Sequence, residues 1–210
     1  MILALAPLLL LRAATVASPP SGDARSVIER LERRQRGVVD IVAGFTQTYR
    51  SGALGHEIVE RGELRLKRPG RMRWEYKTPD AKLLVADGEK FFFYVPADRQ
   101  VTVTAQSDQH SVAAVLLTGR TSLLEEFSAA ADAGAPPGLV RVRLTPRKQA
   151  QDVDHVLVDV DAEARIRSIH VVDSQNNTSR FDFVDIRENT GIPDRLFRFE
   201  TPKGVEVIEG

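Results

Sequence analysis

The sequence predicts a mainly β domain of about eleven antiparallel strands with three short α-helices. Three observations carry that prediction. From Ile41 to Ala105, apolar and polar side chains alternate with the period of two that a half-buried strand requires. Turn-forming residues, Asp87-Gly88 above all, join these runs by tight connections, as in an antiparallel meander. Helical spacing of apolar residues is confined to one stretch before the strands and two in the middle.

The chain begins with an apolar run, Met1–Leu11, which is too short to span a bilayer and is interrupted by Pro7. Thr15-Val-Ala17 supplies small residues for cleavage, so residues 1–17 read as a signal peptide, although the basic leading region is missing. The mature chain, residues 18–210, is expected to start near Ser18 and to form a single domain. No cysteine follows the apolar run, so no N-terminal lipid of its own is expected. Residues 18–25 are a polar linker. Ser26-x-x-Glu29 is a capping-box pattern, and Val27, Ile28, Leu31 and Val38 share one helical face. Arg30, Glu32, Arg33, Arg34 and Arg36 occupy the other, a face suited to an anionic membrane or an acidic partner and equally to plain solvation.

In the first strand, Ile41, Ala43, Phe45, Gln47 and Tyr49 alternate with Val42, Gly44, Thr46 and Thr48. A second covers Ile58–Lys67. The third is the clearest: Met72, Trp74 and Tyr76 point one way, and Arg71, Arg73, Glu75 and Lys77 the other. Lys82–Ala86, Phe91–Val95 and Gln100–Ala105 follow. The pattern breaks at Ser111, where Val112, Val115 and Leu116 suit a short helix ended by Gly119. Ser122-x-x-Glu125 opens another, carrying Leu123, Leu124 and Phe127 and stopped by Ala133–Gly138. Strands resume at Leu139–Thr145, His155–Val160, Ile166–Ser174, Thr178–Ile186 and Leu196–Glu200. One face of this sheet is apolar and the other charged, so the apolar face must be covered. Three short helices can cap a curved sheet and leave an apolar cleft, or complete a fully packed core; the pattern allows both.

Composition and motifs exclude much chemistry. Lys plus Arg equal Asp plus Glu at 29 each, so no global charge favours nucleic acid. Zero cysteines exclude a disulfide framework, a thiolate zinc site and a thiol nucleophile. No nucleophile elbow, phosphate loop, zinc-helix or calcium-loop pattern occurs, and His56, His110, His155 and His170 are scattered. Asp152/Asp154 and Asp159/Asp161 are carboxylate pairs at strand spacing, without clustered partners for catalysis. No enzyme activity and no cofactor are expected. Alternation puts Met72, Trp74 and Tyr76 on one face, and the candidate lining of an apolar cavity is Phe45, Leu64, Met72, Trp74, Tyr76, Leu83, Phe91 and Phe93 of the strands with Leu116 of the middle helix.

Several segments resemble one family closely. They are Phe45-Thr-Gln47, Gly62–Tyr76 with its Lys67-Arg-Pro69, Pro79, Leu83–Gly88, Tyr94-Val-Pro96, Gln100–Val103 and the ending Phe199–Val207. Together they resemble the periplasmic outer-membrane lipoprotein carrier family, LolA. The resemblance implies an incompletely closed antiparallel barrel whose helices form a lid over an apolar, lipid-binding cavity. It implies lipoprotein acyl chains as cargo, an inner-membrane ABC transporter like LolCDE as donor and an outer-membrane receptor like LolB as acceptor. It places a lid latch on Arg68 and the cavity mouth on Met72, where many relatives carry an aromatic residue or leucine. A periplasmic monomer is expected. A related lipid-binding or sensor module with another lipid cargo is the alternative.

Overall fold

The computed structural model describes residues 23–53, 55–106, 112–119, 122–148 and 153–210. The expected signal peptide, Ser18, His110, Ser111 and Asp152 lie outside the described residues. Helix α1 spans Ala24–Arg36 and is followed by strands β1 (Asp40–Arg50), β2 (Glu57–Lys67), β3 (Arg71–Thr78), β4 (Lys82–Ala86), β5 (Lys90–Val95) and β6 (Gln100–Ala105). Helices α2 (Val112–Thr118) and α3 (Leu123–Glu126) precede β7 (Phe127–Asp132), β8 (Val140–Pro146), β9 (Val153–Val160), β10 (Ile166–Asp173), β11 (Thr178–Glu188) and β12 (Glu206–Glu209).

The described strands form one sheet of 12, in the order β12-β6-β5-β4-β3-β2-β1-β11-β10-β9-β8-β7. β7 and β12 are its two edges, so the sheet does not close on itself. Every pairing is antiparallel except that of β12 with β6. One close approach depends on glycine. Gly62 lies under the ring of Phe45, and a Cβ there would come within 2.8 Å of that ring and collide with the Glu75 carbonyl. The pairing of β2 with β3 shifts register at the same point.

Twelve strands replace the expected eleven through three changes. Phe127–Asp132, expected to continue a helix, is strand β7. Its alanines favour a helix intrinsically, but pairing with β8 sets Ala129 opposite Leu144 and Ala131 opposite Val142. Leu196–Glu200, expected as a strand, contains the end of a single 3-10 turn at Asp194–Phe197. The chain there runs over the sheet's outer face, with Phe199 stacked on Phe92 at 5.1 Å, and enters the sheet later as β12. The anchor of this strap is Asp40, only 3% exposed, whose carboxylate accepts hydrogen bonds from Thr190, Gly191 and Ile192.

That strap explains why β4 and β5 lack alternation. Both faces of Leu83–Ala86 and Phe91–Val95 meet other groups, the inner the core and the outer Phe199, which packs on Phe92 and Tyr94. Elsewhere the outer face is charged: Glu63 pairs with Arg65, and Asp194 with Lys67 and Arg71. Asp159 is buried against Arg141 at 2.7 Å and Ser168 at 2.7 Å, while Asp161 holds Arg165 in the following turn. Both carboxylates are thus used in cross-strand or turn contacts, and no cluster with metal-ligand geometry occurs among the described residues.

Candidate functional site

Residues directly opposite one another in a sheet share a face. One row across the inner face runs Leu66, Met72, Ala86, Phe91, and the next runs Ala43, Leu64, Trp74, Leu84, Phe93. A third joins Phe45, Gly62 and Tyr76. Edge-to-face contacts link them: Phe45 lies 4.9 Å from both Trp74 and Tyr76, and Trp74 lies 5.3 Å from Phe181.

The helices lie on this face. Val27, Ile28 and Leu31 of α1, Ala113, Leu116 and Leu117 of α2, and Leu123 of α3 join one buried cluster with the sheet. α1 packs on β7 and β8, and α2 approaches β10. The first helix begins with Asp23, not Ser26, as its cap: the Asp23 carboxylate accepts from the Ser26 amide. Polar residues of α1 tie down the other two helices. Gln35 Nε2 donates to the Leu116 carbonyl at 2.7 Å. Glu32 Oε1 accepts from the Leu123 amide at 2.7 Å, supplying the cap of α3 in place of the expected capping box at Ser122.

The helices fill the concave face over β7–β10 and leave space over β3–β5. Between α2 and those strands lies a mostly apolar cavity of about 160 Å³. Met72, Trp74, Tyr76, Leu84, Ala86, Phe91 and Phe181 line it from the sheet, and Ala113, Ala114, Val115 and Thr118 from α2. Its polar groups are engaged: Gln106 donates to the Gly70 carbonyl, and Thr118 to the Ala114 carbonyl. Tyr76 donates to Gln47 Oε1 at 2.6 Å. Burial and the neighbouring Glu60 charge push the Tyr76 phenol up from its ordinary value, which keeps it a neutral donor.

Arg68 lies in the β2–β3 turn, with its Nη1 against Gly119. Gly119 ends α2 at φ +57°, and a Cβ there would sit 2.9 Å from that nitrogen. The guanidinium thus stands at the carbonyl end of α2. Its Nη2 is buried without a hydrogen-bond partner, and burial pushes the group below its ordinary value.

The structure sorts the expected lining residues. Met72, Trp74, Tyr76 and Phe91 face the cavity. Phe45 and Leu116 are buried behind its walls, Leu64 lies opposite Trp74 and lines a neighbouring space, and Phe93 shares the inner face. Leu83 is a correction. It stands opposite Glu75 and Tyr94, so it points to the outer face under the strap, and Leu84 takes the inward place. Parity is unreadable in a strand apolar on both sides, so the sequence does not single out Leu84. The α2 residues Ala113, Ala114 and Thr118, and Phe181 across the sheet, carry no sequence signal tying them to this cavity.

Known proteins agree with this architecture. The family model for the outer membrane lipoprotein carrier protein LolA matches residues 36–200. An outer-membrane lipoprotein carrier protein of Chromobacterium violaceum is 30% identical over 203 residues, covering 96% of this chain and 97% of its own. Its counterpart in Legionella pneumophila is 29% identical, covering 86% and 89% of the two chains. Among solved structures, an uncharacterized conserved protein from Thermus thermophilus has the same fold, with a TM-score of 0.55 at 13% identity, covering 89% of this chain and 99% of its own. The chain belongs to the LolA family of outer membrane lipoprotein carrier proteins.

Proposed function

We propose that this protein is a periplasmic carrier that moves lipoproteins from the inner to the outer membrane by sheltering their acyl chains beneath its lid. The observation that carries the reading is the apolar cavity between α2 and β3–β5, found in a chain of the LolA family. An acyl chain of about 15 methylenes left in water costs about 12 kcal/mol, at ~0.8 kcal/mol per methylene. A carrier must therefore cover its cargo. At about 160 Å³ the cavity is smaller than the roughly 300–1,000 Å³ of typical ligand pockets. Loading then requires α2 to move away from the sheet, and closure of the lid competes with cargo, which favours release. Arg68, at the end of α2, sets how easily that movement occurs.

On this reading residues 1–17 are the export signal, the mature protein acts as a monomer without catalysis, a LolCDE-like transporter loads it and a LolB-like receptor unloads it. Among the described residues, no helix is long and apolar enough to cross a membrane. The test is a release assay. Inner-membrane vesicles bearing a labelled lipoprotein and an energised transporter are incubated with purified protein. A soluble complex of carrier and triacylated lipoprotein is expected. Failure to release it, with co-purification of a different lipid instead, would replace this reading with that of a lipid-binding or sensor module.

A further inference from the structure

A second apolar cavity lies on the other side of Trp74. It measures about 40 Å³ and is lined by Leu31, Ala43, Leu64, Phe183 and Ile186. Its charged boundary is formed by Arg165 and by the ion pair of Arg34 with Glu188, which is partly open to solvent. No residue lines both cavities. The wall between them is a short set of side chains. Trp74 lines the first cavity, and Leu64, directly opposite it across β2 and β3, lines the second. Phe181 lines the first and Phe183 the second, and their rings lie 5.3 and 6.3 Å from the Trp74 indole.

We infer that the second cavity is the distal subsite for a cargo acyl chain, and that the Trp74 indole is the movable partition between the two chambers. The inference rests on the carrier reading. Each chamber by itself is well below the roughly 300 Å³ at which small-molecule pockets begin, so a long chain that has entered the first must find room further on. The space beyond Trp74 is mostly apolar, and the side chains of Trp74, Leu64, Phe181 and Phe183 stand between it and the first cavity. The partition is held by edge-to-face contacts with Phe45 and Phe181, which are individually weak and easily exchanged for contacts with methylenes. Leu64 and Phe183 supply the surface against which a chain slides once the indole turns aside. At the far end the Arg34–Glu188 pair marks where the apolar path stops, which sets a maximum useful chain length.

Trp74 is the single tryptophan of the chain, so its emission reports directly on the partition. The experiment measures binding of saturated fatty acids from octanoate to palmitate, below their critical micelle concentrations, by calorimetry and by tryptophan emission. Wild-type protein is compared with Ala43→Leu and Ile186→Phe, two independent variants that fill the second chamber. Near-ultraviolet circular dichroism establishes which of them retain native packing. In the wild type, affinity is expected to rise by up to about fourfold per added methylene through palmitate. Tryptophan emission is expected to shift only for the longer chains. Natively packed filling variants should bind octanoate like the wild type and gain nothing further from palmitate. The inference is overturned if they follow the wild type through palmitate, or if palmitate binds without altering Trp74 emission. A wild-type affinity that levels off at the same length as the variants also overturns it and leaves the carrier reading standing. Absence of binding at every length would count against the carrier reading itself.

Discussion

Replacing Arg68 with leucine separates two ways in which this residue can govern the lid. Arg68 Nη2 is buried and unpaired, a condition that costs about 1–3 kcal/mol. The surroundings combine Val38, Ile41, Leu66 and Leu117 with Asp40, Lys67 and Arg71, so a leucine side chain meets apolar neighbours on one side. Against this stands the loss of a cation at the carbonyl end of α2, worth about 0.3–1 kcal/mol. The closed lid of Arg68→Leu should therefore be more stable by about 1–2 kcal/mol. For a chain of this size that corresponds to a rise of about 2–8 °C in Tm. On the proposed carrier mechanism cargo displaces α2, so apparent affinity for a fluorescent fatty acid should fall about 5–30-fold. Differential scanning calorimetry and fluorescence titration measure the two effects. A latch of hydrogen bonds to lid carbonyls, as the resemblance implies, requires the opposite signs. A lower Tm with tighter binding would refute the reasoning from the unpaired donor.

Asp40→Ala should cost about 2–4 kcal/mol in urea unfolding, because it leaves three backbone amides and a hydroxyl without their acceptor; a loss below about 1 kcal/mol would mean that the strap is held elsewhere. Burial alone would raise the Asp40 carboxyl, but the Thr190 hydroxyl and the amides of residues 190–192 outweigh it and hold the group below its ordinary value. Its contribution is thus complete above the ordinary carboxylate pKa of about 4 and is lost as pH falls through the lowered folded value, so Asp40→Asn should flatten the acid side of the stability profile. A photo-crosslinking residue at Leu84 should capture an acyl probe and one at Leu83 should not; equal labelling would contradict the register of β4. Neutralising Arg30, Arg33 and Arg36 on the outer side of α1, with Arg34 left paired to Glu188, should slow association with an acidic receptor at low salt. An unchanged rate would reduce that face to a solvated one.

Alternation alone places Met72, Trp74 and Tyr76 on one face and their arginine neighbours on the other, and the cavity lies on the side it names. Period-two patterning is legible wherever one face is buried and the other wet, as in β1–β3. The same logic finds Val27, Ile28 and Leu31 as the inward stripe of α1. The absence of cysteines and of catalytic patterns excludes thiol and zinc-thiolate chemistry without any coordinates.

Most of the strands, the buried face of α1 and the family's segments follow from local periodicity and from residues close together in the chain, and these are legible without the fold. Tertiary structure decided the rest. Register with β3 points Leu83 outward and Leu84 inward, and the sequence hides this because a distant segment covers the outer face, with Phe199 packed on Phe92 and Tyr94, and removes the polar half of the pattern. Ala129–Ala131 become strand because β8 offers an unpaired edge, although alanine alone favours a helix. The cavity exists because α1 and α2 cover only part of the curved sheet, and its inner wall at Trp74 arises where β2, β3 and β11 converge. Such features depend on which surfaces meet across long sequence separations, and no local pattern encodes that meeting.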